Sequence, residues 1–294
     1  MNFLFYDYIT SFANFSLDFP RKYYLNLGIN PKHDYNTWSP SDIQNNDIIF
    51  VKTNLLDNFF INIFPHINAS FFLISGVAGL DVDIKYKKYL NNFNKIIRWI
   101  GTNIVWKHPK VFKIPIGFEE IERCINGPAS YNGAHEGGDQ NTLLSAYNSK
   151  KPFKDKNNAV LLTYIGNTHP KRKEFLSMIQ NKNFIERADK LKFHDYIKKL
   201  NDYKFVLCPR GKGTDTHRFW EILLVGSVPI VEKNGLSDLY SQFPCIILNS
   251  FNDLSFNDIK NFKLDENKVH NIDKFLKLKP FTDNLNNLIS SNSI

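Results

Sequence analysis

Residues 204–231 read KFVLCPRGKGTDTHRFWEILLVGSVPIV. An apolar strand is predicted over 204–207, and a charged loop with two glycines follows it. Helical spacing begins near Thr216 and stops at Gly226, a residue type that is common just after a helix end. A second apolar strand is predicted over 228–231. A strand, a helix and another strand in this order predict a parallel sheet and an α/β fold.

The loop before the helix carries residue types that bind anions. Gly211 and Gly213 allow the backbone to approach a ligand closely, and the N–H groups at a helix start attract negative charge. Arg210 and Arg218 supply guanidinium groups that can hydrogen-bond phosphate oxygens in pairs. Glu221, one turn into the helix, suits the hydroxyls of a ribose, as acidic side chains do in dinucleotide sites. The pattern therefore predicts an anion site suited to a nucleotide.

Two common phosphate-binding patterns do not fit this loop. A P-loop requires Gly-x-x-x-x-Gly-Lys followed by Ser or Thr, whereas Val206 stands five residues before Gly211, and Gly213 follows Lys212. The dinucleotide pattern G-x-G-x-x-G requires a third glycine at the position of Thr216. The predicted anion site therefore belongs to neither of these motif classes.

The rest of the chain alternates apolar runs with amphipathic stretches. In the first half, strands are predicted over 47–51, 71–74, 95–100 and 113–117, with helices over 54–63 and 86–93. In the second half, strands over 159–165, 204–207, 228–231 and 245–248 accompany helices over 171–179, 195–200 and 216–225. A stretch rich in Gly, Asn and Ser over about 125–156 predicts a linker. We therefore expect two domains, residues 1–150 and residues 151–294, the second with a C-terminal tail.

Three segments carry a family resemblance: CPRG at 208–211, HRFWE at 217–221 and GSVPIV at 226–231. Together they resemble the donor-binding core of exostosin-like (family 47-type) glycosyltransferases, most closely chlorovirus xylosyltransferase-like members from large DNA viruses. Shorter matches, such as RWIGTN at 98–103 and IPIG at 114–117, occur in the order that the family has. The resemblance implies a GT-B fold, with two Rossmann-like domains facing across a cleft. The first would bind the glycan acceptor and the second the nucleotide sugar.

The resemblance also implies which residues bind the donor. Arg210 and Arg218 would hold the diphosphate, and Glu221 would hold the ribose. The expected donor-binding set is Arg172, Arg210, Gly211, Gly213, Thr216, His217, Arg218 and Glu221. UDP-xylose is the first choice of donor because of the xylosyltransferase-like relatives, and other UDP-sugars remain open.

Sugar transfer with inversion needs a general base for the acceptor hydroxyl. We expect Asp81 or Asp83, which follow the predicted strand over 71–74, and His33 is a further candidate. Arginines and a helix N-terminus stabilise a leaving diphosphate without a metal, so no metal or other cofactor is expected beyond the nucleotide sugar. Asp81-Val82-Asp83 also matches the Asp-x-Asp element of metal-dependent GT-A transferases. That alternative stays open, as does a retaining reaction.

The composition is that of a globular protein, with 43% hydrophobic residues and a net charge of +8. The positive charge also suits a non-catalytic module that binds nucleotides or polyanions, but the basic residues are spread along the chain, so nucleic acid is not the expected partner. Three cysteines without C-x-x-C spacing argue against a disulfide framework or a zinc site. No apolar run reaches the ~20 residues of a transmembrane helix, and no secretory signal is recognised. A cytoplasmic location is predicted, in the host cytoplasm for a viral protein.

Overall fold

A computed structural model describes residues 3–4, 8–17, 38–119 and 139–290. Within these ranges, ten strands form two five-stranded sheets. Every paired strand runs parallel to its neighbour. The predicted α/β fold with two Rossmann-like parallel sheets, which is the organisation of the GT-B type, is confirmed.

The chain divides into two compact units. The first unit is Phe5–Ile116 with Thr282–Ile294, and the second unit is Met1–Leu4 with Gly117–Phe281. The division predicted from composition lies at residue 150, inside the second unit. Much of the stretch that suggested it, residues 120–138, lies outside the described residues.

In the first unit, the order of strands in the sheet follows the chain. The strands are β1 (Phe15–Leu17), β2 (Ile48–Lys52), β3 (Phe71–Gly76), β4 (Ile96–Gly101) and β5 (Val111–Lys113). The helices are α1 (Leu56–Asn58) and α2 (Lys87–Asn92), with a π turn over Phe59–Ile63 and 3₁₀ turns over Tyr8–Phe12, Pro40–Asp42, Thr53–Leu55, Phe64–His66 and Ile84–Tyr86. Strand β3 is buried along its whole length, as its continuous apolar run predicts for a central parallel strand. Its neighbour β4 contributes Trp99, whose indole N–H donates to Ser75 Oγ at 2.8 Å.

The second unit holds the other sheet and most of the helices. Its strands are β6 (Asn157–Leu162), β7 (Ile185–Arg187), β8 (Tyr203–Leu207), β9 (Val228–Glu232) and β10 (Ile246–Leu248). Its helices are α3 (Gln140–Asn148), α4 (Lys171–Ile179), α5 (Phe193–Asn201), α6 (His217–Leu224), α7 (Ser237–Tyr240), α8 (Phe256–Lys260) and α9 (Glu266–Leu276), and α10 (Leu278–Ser290) begins there. Two 3₁₀ turns cover Phe153–Asp155 and Phe251–Asp253.

The sheet of the second unit has the order β10-β9-β8-β6-β7. After β6 the chain first adds β7 on one side and then returns to add β8 on the other side. The strand order therefore reverses between β6 and β8. Ligands of open α/β sheets bind outside the carboxyl ends of the strands at such a reversal. The loops that leave β6 and β8 are thus the first place to look for a site.

Most of the predicted elements are observed within a few residues of their expected bounds. The strand predicted over 113–117 is an exception, because it is observed earlier, as β5. Pro115 has no N–H to donate to a ladder, and Gly117 has a φ of +69°. Strands β1 and β7, of three residues each, were not predicted. The C-terminal tail forms α9 and α10.

No helix within the described ranges combines the length and the apolar character that a bilayer crossing needs. His33, the third candidate for the general base, lies outside the described residues, as does Cys124.

Candidate functional site

The loop between β8 and α6 lies at the strand-order reversal of the second sheet. Helix α6 begins at His217, and Thr216 precedes it in an extended conformation with φ −135° and ψ 146°. The Thr216 side chain does not cap the helix, and its Oγ1 lies 3.4 Å from the Sγ of Cys208. The helix start therefore keeps its electropositive end without a side-chain cap of its own.

Two arginine side chains are buried beside this loop. Arg172, the second residue of α4, is 8% exposed, and Arg218, the second residue of α6, is 6% exposed. Arg172 donates from Nε to the carbonyl of Arg210 and from Nη1 to the carbonyl of Gly166, both at 2.8 Å. Arg218 donates from Nη2 to the carbonyl of Tyr164 at 2.7 Å. The two guanidiniums thus join the loop after β6 to the loop after β8.

The two guanidiniums also affect each other electrostatically. Burial lowers the pKa of Arg172 to about 10, and the positive charge of Arg218 contributes in the same direction. Arg172 remains charged at neutral pH all the same. Within the described part of the chain, no carboxylate forms an ion pair with either arginine. Two like charges are therefore held in a poorly solvated site, where the carboxylate of Glu221 and the guanidinium of Arg218 both affect the Tyr196 hydroxyl.

The hydrogen-bonding capacity of Arg218 is only partly used. Its Nε and Nη1 are buried and have no hydrogen-bond partner among the described residues, although the guanidinium is close enough to the Tyr196 hydroxyl to oppose the rise in that tyrosine's pKa. An unsatisfied buried donor costs about 1–3 kcal/mol, and more where it is charged. Such groups in a folded protein call for an explanation. An anion seated beside α6 would satisfy both donors.

The buried acid Asp215 holds the loop in place through its hydrogen bonds. The Asp215 carboxylate accepts from Trp220 Nε1 at 3.0 and 3.1 Å and from the Tyr240 hydroxyl at 3.2 Å. At the start of the loop, burial raises the pKa of the Cys208 thiol to about 11, so that the thiol is neutral. The buried Asp215 thus accepts from a ring N–H and a hydroxyl, and also from the backbone N–H of Thr216 at 3.0 Å.

The glycines of the loop make close approach possible. The Gly211 N–H donates to the carbonyl of Gly213 at 3.0 Å. A Cβ at Gly211 would lie 3.3 Å from Thr216 Cγ2 and 3.4 Å from Arg172 Nη2. A side chain at this position would therefore be tight against Thr216 and would take up the space next to the guanidinium of Arg172.

Arg210 and His217 lie at the edges of the same loop. Arg210 donates from Nη2 to the carbonyl of Lys212 at 3.1 Å, so that its guanidinium is folded back over its own loop. His217 Nδ1 lies 2.9 Å from the carbonyl of Gly117 and must be the donor in that contact. His217 Nε2 lies 3.6 Å from Oε1 of Glu119. Sequence reasoning missed Glu119, because no local pattern links it to α6.

Glu221 occupies a different environment from the one expected of a ribose ligand. It is 1% exposed, and its Oε2 accepts from the hydroxyl of Tyr196 on α5 at 2.8 Å. Burial raises the pKa of Tyr196 well above its usual value, and the charge of Glu221 adds to this effect. The Glu221 carboxylate is thus directed into the unit, toward α5. Its contact with a ribose stays a prediction.

The two acids proposed as the general base lie in the first unit, after β3. Asp83 is exposed, and its Oδ1 accepts from the N–H of Lys85 at 2.7 Å, which caps a 3₁₀ turn. Asp81 is partly exposed. The backbone ahead of Asp81 is strained, since Val77 has a φ of 58°. A β-branched residue rarely adopts this conformation, and such strain collects at functional sites.

An open pocket of about 250 Å³ lies beside Arg172 and Arg210, on the side of β9. It is lined by Arg172 and Arg210, by one acid and one lysine each from α4 and from the end of β9, and by apolar side chains. Its other lining residues are Lys171, Glu174, Phe175, Met178, Cys208, Pro209, Thr214, Val231, Glu232, Lys233, Asn234, Tyr240 and Phe251. The pocket combines polar groups with apolar walls, as small-molecule sites do.

Among the described residues, no group of three His, Cys, Asp or Glu side chains is placed to hold a metal ion. Asp81 and Asp83 are therefore not part of such a group within these ranges. Whether the reaction uses a metal stays a prediction.

Comparisons with known proteins point to the same part of the chain. Residues 152–253 match the family model of the RXYLT1 C-terminal domain. This segment is about a third of the chain, and it contains all five strands of the second sheet and both buried arginines. No curated protein sequence matches the chain.

Three solved structures resemble the chain at low identity. The crystal structure of a GtfA/B complex has 10% identity and a TM-score of 0.44, covering 92% of this chain and 59% of its own. AviGT4, a glycosyltransferase of avilamycin A biosynthesis, has 11% identity and a TM-score of 0.36, covering 81% and 88%. The pneumococcal O-GlcNAc transferase GtfA, in complex with UDP and GlcNAc, has 11% identity and a TM-score of 0.32, covering 92% and 55%. The chain thus spans only part of the length of two of these proteins.

Proposed function

We propose that this protein is a glycosyltransferase that uses a nucleotide-sugar donor. The observation that carries the proposal is the pair of buried guanidiniums, Arg172 and Arg218, at the strand-order reversal. These two charges form no ion pair with a carboxylate of the described residues, and two buried donors of Arg218 have no partner there; both features suit an anion with several oxygens, and a diphosphate is such an anion. The match of residues 152–253 to the RXYLT1 C-terminal domain supports sugar transfer as the reaction.

The donor we propose is a UDP-sugar, with UDP-xylose first on the basis of the family resemblance. Its diphosphate would lie against Arg218, Arg172 and the start of α6, with Gly211 leaving the space for it. Arg210 would complete the contact from the edge of the loop. The adjoining part of the donor would fill the pocket of about 250 Å³. A glycan hydroxyl would be the acceptor.

The geometry supports the chemistry that sugar transfer requires at the leaving group. Negative charge grows on the diphosphate as the bond to the sugar breaks. Buried guanidiniums and a helix N-terminus that are already in place stabilise this charge without reorganisation. For this reason we propose transfer without a metal. A base on the acceptor side then completes an inverting reaction, and Asp81 and Asp83 are the candidates.

Binding and turnover of defined donors test the proposal. Isothermal titration with UDP, UDP-xylose, UDP-glucose and pyrophosphate is expected to give saturable binding to one site, in which pyrophosphate competes with UDP. The rival function, a polyanion-binding module, predicts instead that RNA binds with a steep salt dependence and that UDP does not saturate. Failure of every nucleoside diphosphate to bind would overturn the proposal.

The details of the reaction need separate measurements. Release of UDP from UDP-sugars in the presence of a glycan panel measures transfer, and NMR of the product gives its anomeric configuration. A product of inverted configuration is expected, and retention would refute the inverting mechanism. Activity in excess EDTA is expected to persist. Loss that Mn²⁺ restores would refute transfer without a metal and favour the Asp-x-Asp alternative.

A further inference from the structure

The segment from β8 to β9 forms a complete β–loop–α–β unit with an acidic residue at its end. Strand β9 pairs in parallel with β8, with Phe205 opposite Val228 and Leu207 opposite Ile230. Glu232 is the last residue of β9, about 20 residues beyond Gly211. In dinucleotide-binding units, an acidic side chain at this distance from the glycine loop accepts hydrogen bonds from the ribose hydroxyls. The topology therefore places a carboxylate at the position where a diol is bound in such units.

The surroundings of Glu232 fit this role. Glu232 is partly exposed and lines the pocket that Arg172 and Arg210 also line. Its carboxylate has neither a hydrogen-bond nor an ion-pair partner among the residues that the structure describes. The turn after it is fixed, because Asn234 donates from Nδ2 to the Glu232 carbonyl at 2.8 Å and accepts from the Leu236 N–H at 2.7 Å. A carboxylate on a fixed backbone is thus held next to the proposed diphosphate site.

We propose that Glu232 binds a vicinal diol of the donor. This inference rests on the proposed function, since it assumes that a nucleotide sugar occupies the site. Two diols are available on such a donor, that of the ribose and that of the transferred sugar, and one carboxylate can accept from both hydroxyls of either. Glu221, the residue expected for the ribose, is 1% exposed and already accepts from Tyr196. Glu232 is open to the pocket instead.

The loss of a hydrogen bond to a diol and the loss of a negative charge at Glu232 are expected to change ligand affinity in opposite directions. A carboxylate close to a diphosphate repels it, so that Glu232→Gln by itself strengthens the binding of any phosphate ligand. Loss of a hydrogen-bonded diol weakens binding instead. The two effects have opposite signs. Glu174 on α4 lines the same pocket and is exposed, so Glu174→Gln is a control that removes the same charge.

The experiment is titration calorimetry of wild type, Glu232→Gln and Glu174→Gln with pyrophosphate, UDP, 2′-deoxy-UDP and UDP-glucose. For Glu232→Gln, we expect a loss of about 10- to 100-fold in affinity for a diol-bearing ligand, while pyrophosphate binds equally well or more tightly. If the ribose is the source, UDP loses affinity and 2′-deoxy-UDP does not. If the transferred sugar is the source, UDP-glucose loses affinity and UDP does not.

Other outcomes overturn the inference. Equal or tighter binding of both UDP and UDP-glucose by Glu232→Gln would mean that the carboxylate holds no diol. The same conclusion follows if Glu174→Gln loses the affinity and Glu232→Gln keeps it. Neither result affects the proposed function, which fails only if the wild type binds no nucleoside diphosphate. Thermal unfolding of both variants, with a midpoint close to that of wild type, verifies that they are folded.

Discussion

Arg218→Met is expected to make the second unit more stable and to remove donor binding at the same time. Arg218 is 6% exposed, and its Nε and Nη1 are buried without a partner in the part of the chain that the structure describes. Methionine is flexible and apolar, so it fills most of the same space without a charge. If the arginine is held in place for an anion, the empty protein bears the cost of keeping it buried, and the substitution relieves that cost.

The magnitude follows from the contacts of the guanidinium. Each unsatisfied buried donor costs about 1–3 kcal/mol, and the hydrogen bond from Nη2 to the Tyr164 carbonyl contributes about 1.5–3 kcal/mol. Removal of two orphaned donors and one satisfied donor therefore raises the free energy of unfolding by about 1–3 kcal/mol. This corresponds to roughly 2–4 °C in Tm for each kcal/mol in a domain of this size. Relief of the repulsion with Arg172 acts in the same direction.

Donor binding is expected to change in the opposite sense. Two charged hydrogen bonds to phosphate oxygens contribute about 1.5–3 kcal/mol each, so their loss lowers the affinity for UDP by about 100-fold or more. Titration calorimetry measures the affinity. Urea unfolding measures the stability, and hydrogen exchange in α6 assigns the change to the second unit.

Arg172→Met is the matched control for Arg218→Met. Both nitrogens of Arg172 that are seen to donate, Nε and Nη1, are satisfied by the carbonyls of Arg210 and Gly166. Its removal is therefore expected to lower both stability and UDP affinity. The reasoning is refuted if Arg218→Met is less stable than wild type by more than about 1 kcal/mol, or if it binds UDP as the wild type does.

Further predictions concern the backbone of the loop, a buried lysine and Glu221. Gly211→Ala places a Cβ 3.4 Å from a guanidinium nitrogen at a φ that is not left-handed, so UDP affinity is expected to fall while Tm stays close to wild type. Gly226→Ala, at φ +72°, is expected to lower the free energy of unfolding by about 1–2 kcal/mol and to leave the UDP affinity measured by calorimetry unchanged. Loss of stability in Gly211→Ala together with loss of UDP affinity in Gly226→Ala would contradict both expectations. Lys156 is buried, and burial lowers its pKa to about 7. Between about pH 7 and pH 10 the unfolded chain therefore holds a proton on this lysine that the folded chain has released, so the free energy of unfolding rises with pH. Urea unfolding measures this, and the free energy of unfolding of wild type relative to Lys156→Met is expected to increase over this interval. A decrease over the same interval would contradict the sign. Tyr196→Phe removes a hydrogen bond to the buried carboxylate of Glu221 and is expected to lower the free energy of unfolding by about 1–3 kcal/mol, whereas an unchanged urea midpoint would mean that Glu221 is satisfied without it.

Much of the fold could be predicted from local pattern. Helix 171–179 has its predicted bounds, and the central strands of both sheets are continuous apolar runs, which burial on both faces requires. The edge strand Ile185–Arg187 was not predicted, because only its first residue is apolar and two charged residues follow, whereas the equally short edge strand Ile246–Leu248 is wholly apolar and was predicted. Val111–Lys113 was displaced in the prediction, since the pairing partner decides which residues of an extended stretch join the sheet.

The candidate site was predicted in part. The loop at 208–216 and the arginines were identified from residue type, because glycines and guanidiniums before a helix have few other uses. That Arg172 and Arg218 are both buried could not be predicted. Nor could the burial of Glu221 against Tyr196, since its position one turn into the helix does not indicate which neighbouring element covers it.

The sequence by itself determined the α/β class and the βαβ unit at 203–232, and it predicted an anion site in the loop of that unit. These depend on residue type and on spacing over a few turns, which each segment carries alone. Only the tertiary structure decided which arginines are desolvated and which carboxylate is open to the pocket. It did so because strand order joins the loops after β6 and β8, and because burial and unpartnered donors arise only when segments distant in the chain pack together.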